Sequence, residues 1–283
     1  MRRSSELYDQ QLSMTALVEL TSAFEGIASM RISQIRSQVL ESQKFFADLW
    51  GIYSQLRVDE LFHFGRIQYS GTVVNKELMI LVTSEGSFSG DIDKRLVETA
   101  LSKYDPDKNA IIVIGRHGAN QLAQRGIKVE HSFRTPDQDL KINTGPLIEE
   151  VKKYSSTIIY YQQYQSLMVQ TIKSRRLSAA VIDKGSRVEN TADTITEQTY
   201  IFEPNTYAVV DHLENSMMQI TLSEVILESK LAQYASRFKA MSLAHERAST
   251  NYLDVNNSYN RARRQEKDER LKETVNGLRR VEI

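Results

Sequence analysis

Apolar residues recur at three- and four-residue steps near both ends of the chain, which is the spacing of one helix face. Near the C-terminus this stripe comprises Leu231, Tyr234, Phe238, Met241, Ala244, Ala248, Tyr252, Val255, Tyr259 and Ala262. Near the N-terminus it comprises Leu7, Met14, Leu17, Leu20, Phe24 and Ile27, then a slightly rotated face of Ala28, Ile32, Ile35, Val39, Phe46, Leu49, Tyr53 and Leu56. Because no proline interrupts either segment, the pattern predicts one long helix at each end.

The two predicted helices are natural partners for each other. A helix of roughly 50 residues is about 75 Å long, far longer than the average globular helix. Each helix carries one stripe, so the simplest arrangement is an antiparallel coiled coil. We expect Phe24 and Ile27 to meet Phe238 and Met241 in its seam.

Beyond Ala262 the C-terminal stripe is interrupted by charge. This segment contains Arg261, Arg263, Arg264, Glu266, Lys267, Asp268, Glu269, Arg270, Lys272 and Glu273. A short apolar face then returns with Leu271, Val275, Leu278 and Val281. The pattern indicates a helix that projects from its own domain into a socket elsewhere. The three arginines could bind phosphate or meet an acidic protein surface.

The middle of the chain has a different periodicity. Compact apolar runs at 77–83, 110–114 and 157–161 predict buried strands, and 91–103 predicts a helix between the first two. A short helix should start at Gln121, and 169–172 and 197–202 look extended, whereas 185–197 reads as a loop. The expected fold is therefore α/β: a long antiparallel coiled coil of terminal helices, 1–60 and 210–283, with a small Rossmann-like α/β domain at 74–205.

Composition narrows the class of protein. The formal net charge is zero, with 36 basic and 36 acidic residues, which argues against a dedicated nucleic-acid binder. There are no cysteines, so disulfides and thiolate chemistry are excluded. No run approaches the roughly 20 apolar residues of a membrane span, so we expect a cytosolic protein that is soluble or peripherally attached.

Catalytic and cofactor motifs are weak. The loop Gly86–Gly90 lies between a strand and a helix, where phosphate loops occur, but it lacks the lysine and glycine spacing of those loops. We interpret it, and the turn Gly115–Gly118, as structural. None of the five histidines has a metal-ligand spacing, and His245 reads as a residue in or beside the helix seam. No catalytic, cofactor or metal site is predicted.

Five short segments, in order along the chain, resemble those of the gamma subunit of F-type ATP synthases. They are Leu81–Glu85, Ile112–Gly118 with Arg125–Gly126, Tyr200–Pro204 (Tyr-Ile-Phe-Glu-Pro), Arg237–Met241 (Arg-Phe-Lys-Ala-Met) and Ser258–Arg263 (Ser-Tyr-Asn-Arg-Ala-Arg). The likeness covers nearly the whole chain, which resembles a divergent bacterial-type member of the family. The family's loop arginine and cysteine are missing from 85–91, its N-terminal lysine is replaced by Glu25, and its glutamine after Arg263 is Arg264.

This resemblance implies a non-catalytic rotor shaft, present once per complex, that works in ATP synthesis and hydrogen ion transport at the cytoplasmic face of the cell membrane. It implies that the alpha and beta subunits of the catalytic ring contact Arg261, Arg263, Arg264, Asp268, Glu269, Leu271, Val275 and Leu278. It also implies that Phe202 and Glu203 lie near the membrane c-ring or the epsilon subunit.

Three alternative functions stay open at this point. The chain could be a static coiled-coil adaptor, a nucleotide-binding α/β protein, or the shaft of a soluble ATPase that is not coupled to ion transport. Nucleotide binding by the isolated chain would favour the second, and co-purification with a six-membered ring would argue against the first.

Overall fold

The computed structural model describes residues 4–55, 74–86, 88–135, 144–177, 203 and 206–281. The first and last elements along the chain are two long helices, α1 (Ser4–Gln55) and α5 (Thr206–Val281). Between them lie β1 (Val74–Val82), α2 (Ile92–Leu101), β2 (Asn109–Ile114), α3 (Arg116–Gln124), β3 (His131–Phe133), α4 (Gly145–Val151), β4 (Tyr154–Tyr164) and β5 (Gln170–Arg176). The predicted extended segment 197–202 and loop 185–197 fall outside these residues.

The strands form one five-stranded sheet in the order β3-β2-β1-β4-β5. β1 pairs in parallel with both β2 and β4, with Ile80 opposite Ile112 on one side and Ile159 on the other. β3 is a short parallel edge, and β5 returns antiparallel to β4 through a tight hairpin. The stretches 78–82 of β1 and 110–114 of β2 are apolar and buried because helices cover both faces of the sheet.

Alternate residues of the strands supply two separate cores. On one face Met79, Leu81 and Ile111 pack with residues of α2 and α3, including Leu96 and Leu122. On the other face Leu78, Ile80 and Ile112 pack with α4 and with the nearer parts of the long helices, through Phe46 of α1 and Met217, Leu222 and Ile226 of α5. The predicted α/β architecture with two long terminal helices is confirmed.

The chain divides into two compact units, which we call the helix unit (Met1–Ala28 and Phe238–Ile283) and the sheet unit (Ser29–Arg237). The division falls within both long helices rather than at their ends. The sequence placed it at residues 60–74 and 205–210, because periodicity marks where a helix ends and not what it packs against. Half of each helix is part of the sheet unit because Phe46 and Met217 complete its core.

A tight turn after β2 has no room for a side chain. Gly115 has a φ of 102°, and a Cβ there would lie 2.1 Å from the carbonyl oxygen of Thr83. The Thr83 hydroxyl donates to the Ile114 carbonyl at 3.0 Å and accepts from the amide of Gly118 at 3.0 Å. This glycine therefore lets the chain cross the end of β1, which supports its interpretation as a structural turn.

Candidate functional site

In the helix unit, α1 and α5 are joined by a seam with heptad spacing. Among the buried and half-buried residues of α1, one series with this spacing is Ser4, Leu7, Gln11, Met14, Val18, Thr21, Glu25 and Ala28. The matching series on α5 is Met241, His245, Ala248, Tyr252, Val255, Tyr259, Ala262 and Glu266. Both series advance by alternating three- and four-residue steps, which is the repeat of a coiled coil.

Side-chain contacts across the seam fix its direction. The Gln11 amide donates to the Asn256 side chain at 3.0 Å, and the rings of Tyr8 and Tyr259 lie 5.8 Å apart. The Thr21 hydroxyl lies 3.4 Å from Nδ1 of His245. Partners on α5 move back as those on α1 advance, so the helices are antiparallel, and His245 lies in the seam as its position predicts.

The first turn of α1 is capped by a side chain from α5. Glu266 accepts hydrogen bonds from the Ser4 amide at 3.1 Å and from the Ser4 hydroxyl at 2.7 Å. These bonds lower the pKa of Glu266, the hydroxyl contributing most. A carboxylate is favourable here because the first amides of a helix lack internal partners. In the sequence Glu266 is one member of a charged run, and its position there does not reveal this contact.

The four predicted seam residues have different outcomes. Met241 is buried, and Phe24 and Phe238 are half-buried. Ile27 is 47% exposed, whereas its neighbour Ala28 is fully buried. The placement of Ile27 in the seam is therefore wrong: a one-residue step turns a helix by about 100°, and the seam follows the Thr21–Ala28 face.

Ile27 belongs to a second apolar stripe on α1. Leu17 and Leu20 share this face and are 44% and 50% exposed. The seam itself contains polar residues such as Gln11 and Thr21, which is why sequence reasoning preferred the more apolar stripe. Two helices can bury only the narrow strip that faces the partner, so the second stripe is left for other contacts.

The arginine cluster lies on the open surface of α5. Arg261, Arg263 and Arg264 are all exposed, and none makes a hydrogen bond or ion pair with another residue in the part of the chain that the structure describes. Asp268 and Glu269 are exposed as well, and Glu269 accepts a hydrogen bond from Gln265 at 3.2 Å. Three guanidinium groups are thus available to an acidic or carbonyl-rich partner.

The end of α5 extends past the Ser4–Glu266 contact. Residues 267–281 add about 22 Å of helix. Leu271 is 66% exposed and Val275 is 42% exposed. Leu278 continues the helix, although its side chain is outside the described atoms. These two exposed side chains agree with the expected uncovered apolar face.

At the other predicted contact region only Glu203 is described, and its side chain is exposed. Phe202 lies outside the described residues. The contact of these two residues with a rotor ring or an epsilon subunit therefore stays a prediction.

The Gly86–Gly90 loop is held by hydrogen bonds to its carbonyl groups. The Ser84 hydroxyl donates to the Gly86 carbonyl at 3.0 Å, and the Ser236 hydroxyl donates to the Ser89 carbonyl at 2.7 Å. A phosphate loop instead presents amide groups to its ligand. Within the described ranges there is also no cluster of three or more histidine or acidic residues that could hold a metal.

Among the described helices, none is long and apolar enough to cross a membrane.

A model of the ATP synthase family matches residues 5–280 of the chain. The ATP synthase gamma chain of Chlorobaculum parvum is 23% identical over 274 residues, which cover 92% of each chain. That of Staphylococcus haemolyticus is 25% identical over 220 residues, covering 72% of this chain and 73% of the relative. Although the identity is low, the match to the family model extends over both long helices and the sheet.

Solved structures show the same fold. A chain in the Euglena gracilis mitochondrial ATP synthase, in a structure of OSCP, F1 and c-ring, superposes with a TM-score of 0.65 at 12% identity and covers 97% of this chain and 94% of its own. A chain of the Tetrahymena thermophila mitochondrial ATP synthase central stalk and c-ring gives a TM-score of 0.55 at 16% identity, covering 80% and 99%.

Proposed function

We propose that this chain, which belongs to the ATP synthase gamma-chain family, turns within a ring of alpha and beta subunits and couples its rotation to conformational change in their catalytic sites. Gamma chains are non-catalytic subunits of the central stalk. The chemistry of ATP therefore takes place on the partner subunits, and this chain acts on it by contact.

The observation that carries the proposal is the uncovered surface of the helix unit. The end of α5 continues alone past α1 with Leu271 and Val275 exposed, and the three arginines beside it have no partner among the described residues. Large apolar side chains that are grouped on an exposed surface often mark a site where another protein binds. The ring of alpha and beta subunits is the partner that this surface fits.

Rotation can act on the catalytic sites because the two helices of the helix unit present different side chains. α1 exposes the apolar residues Leu17, Leu20 and Ile27, whereas α5 exposes Arg261, Arg263 and Arg264. A catalytic subunit that contacts α1 therefore meets a different surface from one that contacts α5. A contact that is stronger in one conformation shifts the population toward it, so each rotary position favours one state of each site.

The remaining partners are assigned by family likeness and by position. We propose one copy per ring, an epsilon subunit bound to the sheet unit, and a membrane c-ring near Phe202 and Glu203. Asp268, Glu269 and Leu278 would join the arginines in facing the ring. The complex would then hold this chain at the cytoplasmic face of the cell membrane as a peripheral subunit.

Co-purification tests this function directly. The full chain, co-expressed with its own alpha and beta subunits, should elute as one complex with one copy of this chain for three beta subunits. A bead attached to the sheet unit of an immobilised complex should rotate when ATP is added. A complex that forms but whose bead stays fixed while ATP is hydrolysed would indicate a static adaptor. Micromolar ATP binding by the isolated chain would favour a nucleotide-binding protein instead.

A further inference from the structure

A buried carboxylate lies where the strands of the sheet unit end. Asp93, in the first turn of α2, is 1% exposed. It accepts hydrogen bonds from the Ser84 amide at 3.3 Å, from the Ser84 hydroxyl, from His117 Nδ1 at 2.8 Å and from Gln162 Nε2 at 2.9 Å. No lysine or arginine among the described residues pairs with it. The carboxylate therefore depends on these directional bonds for its solvation.

Gln162 connects this carboxylate to the long C-terminal helix. The Gln162 side chain is fully buried on β4. Its Oε1 accepts from the hydroxyl of Ser229 and from Nε2 of Gln233 at 3.3 Å, and Gln233 also donates to Ser229 at 3.1 Å. Asp93 sets the orientation of this amide, because a carboxylate can only accept hydrogen bonds; Nε2 therefore faces Asp93 and Oε1 faces α5.

A second bridge joins the same face of α5 to the loop after β1. Ser236 lies seven residues beyond Ser229, so the two are two turns apart on one side of the helix. Ser236 donates to the Ser89 carbonyl at 2.7 Å, and the Ser89 hydroxyl lies 3.3 Å from that of Ser84. The bonds thus run from α5 through the loop and back to Asp93, all within the sheet unit.

We propose that Asp93, Gln162, Ser229 and Gln233 form a polar clamp that locks α5 to the sheet and sets the torsional stiffness with which the two turn together. The apolar core at the base of α5 has no directional preference and tolerates small shifts in angle. Hydrogen bonds inside a dry core hold one geometry, since a buried donor or acceptor that loses its partner is costly. Gln162 is the positioning residue because its Nε2 donates to Asp93 and its Oε1 accepts from Ser229 and Gln233.

The clamp matters for function only if the chain rotates, so this inference rests on the proposed function. Torque that is exchanged between the sheet unit and the ring has to pass along α1 and α5, because both helices continue from one unit into the other. The clamp acts on the α5 part of this connection. A rigid joint transmits an angular step of the sheet at once, whereas a loose joint first absorbs part of it. The clamp lies on the α5 segment 229–233, which ends five residues before the helix unit begins at Phe238.

The first test uses the isolated full chain and does not depend on rotation. Gln162→Glu places a second carboxylate where Nε2 now lies, 2.9 Å from Asp93. We expect amides of residues 226–237 to exchange hydrogen at least about tenfold faster. The double variant Gln162→Glu with Asp93→Asn restores one donor facing one carboxylate, so it should return exchange to within about threefold of the parent.

Two further variants keep this test decisive. Leu122→Ala removes a buried side chain from the opposite core, which contains no residue of α5. It should lower the melting temperature without selectively exposing residues 226–237. Ser229→Ala removes a single hydroxyl and serves if Gln162→Glu fails to fold. Unchanged exchange in Ser229→Ala, or no rescue by the double variant, would overturn the clamp.

The second test measures stiffness in the assembled complex. With the ring immobilised and a probe on the sheet unit, the angular fluctuations of the paused rotor should widen in Gln162→Glu or Ser229→Ala. They should stay at the parental width in Leu122→Ala and return to it in the double variant. Unchanged fluctuations despite faster exchange would show that the clamp does not set stiffness. A parent complex that never rotates would instead overturn the proposed function while the exchange results stand.

Discussion

The sheet unit and the helix unit bury their apolar residues to different extents. Leu78, Ile80 and Ile112 at the centre of the sheet have no exposed surface. In the helix unit Leu17, Leu20, Ile27, Leu253 and Leu271 are between 44% and 66% exposed, while its seam includes polar residues. Both units leave large apolar side chains at the surface, such as Phe45 and Met168 in the sheet unit, but the sheet unit also has a fully buried core, whereas the helix unit buries only a narrow seam.

This difference follows from geometry. A sheet covered on both faces can bury every side chain of its central strands. A pair of helices can bury only the positions that face each other, and the remaining side chains stay at the surface whatever their chemistry. Substitutions should therefore affect folding in the sheet unit and assembly in the helix unit, which the following changes test in order of expected effect.

The largest effect on folding should come from Gly115→Ala in the sheet unit. The new Cβ would lie 2.1 Å from the Thr83 carbonyl oxygen at a positive φ, so the ends of β1 and β2 must separate. We expect a loss of roughly 3–5 kcal/mol in the free energy of unfolding, measured by urea denaturation. Gly126→Ala is the control, since it has φ +70° but open space around it, and should lose only about 1–2 kcal/mol.

Truncation of one large side chain in each unit compares the two cores. Leu222 is fully buried against the sheet, so Leu222→Ala should cost about 2–5 kcal/mol. Phe238 is only half-buried, so Phe238→Ala should cost less than the roughly 3–5 kcal/mol of a fully packed phenylalanine. Thermal denaturation of both variants measures this, and an equal or greater loss for Phe238→Ala would contradict the comparison.

Charge reversal of the arginine cluster should impair assembly and turnover rather than folding. In Arg263→Glu with Arg264→Glu the isolated chain should keep its stability within about 0.5 kcal/mol, because neither side chain has a partner among the residues that the structure describes. ATP turnover of the assembled complex should fall, most strongly at low salt where charge contacts are least screened. Lys173→Glu on the exposed part of β5 is the charge control. Unchanged turnover at low salt would contradict the role of the cluster.

Acid should release the cap at the start of α1. Because the bonds from Ser4 lower the pKa of Glu266 in the folded chain, this stabilisation is present above the usual glutamate pKa. It is lost as the pH falls through the lowered value. The protection factors of the amides of residues 4–8, which correct for the pH dependence of intrinsic exchange, should therefore fall in acid in the parent. In Glu266→Gln they should already be lower at neutral pH and change less on acidification.

The smallest change expected is a neutral or stabilising one in the sheet unit. The Tyr161 hydroxyl is buried and has no hydrogen-bond partner among the described residues. Tyr161→Phe removes this unsatisfied group, so the unfolding free energy should stay the same or rise by up to about 1 kcal/mol. A loss of more than 1 kcal/mol would indicate that the hydroxyl has a partner.

The same variant should change the response to alkali. Burial, with the charge of Glu228, raises the pKa of Tyr161 to about 12. A raised pKa stabilises the fold below the ordinary tyrosine pKa and loses that contribution as pH rises toward 12. Above pH 10 the parent should therefore lose stability more steeply than Tyr161→Phe. Unfolding of both proteins, monitored by circular dichroism as the pH is raised, measures this difference.

The sequence by itself determined the elements that have a strong period. The three- and four-residue spacing predicted both long helices, and compact apolar runs predicted β1, β2 and β4, because burial imposes these periods directly. The short strand β3 and helix α4 were missed, since three and seven residues carry too little periodic signal. The uncovered end of α5 was also foreseen, because its charges leave no apolar face for α1.

Only the tertiary structure decided which of two adjacent stripes on α1 is buried. Leu17, Leu20 and Ile27 form the more apolar stripe, but the seam uses Val18, Thr21 and Ala28, whose smaller side chains face α5. It also decided that Asp93, Gln162 and Ser229 meet, since they come from three elements up to 136 positions apart and share no local pattern. The spacing of apolar residues along the chain indicates which residues face inward. Which residue each of them contacts depends on how elements distant in sequence pack together.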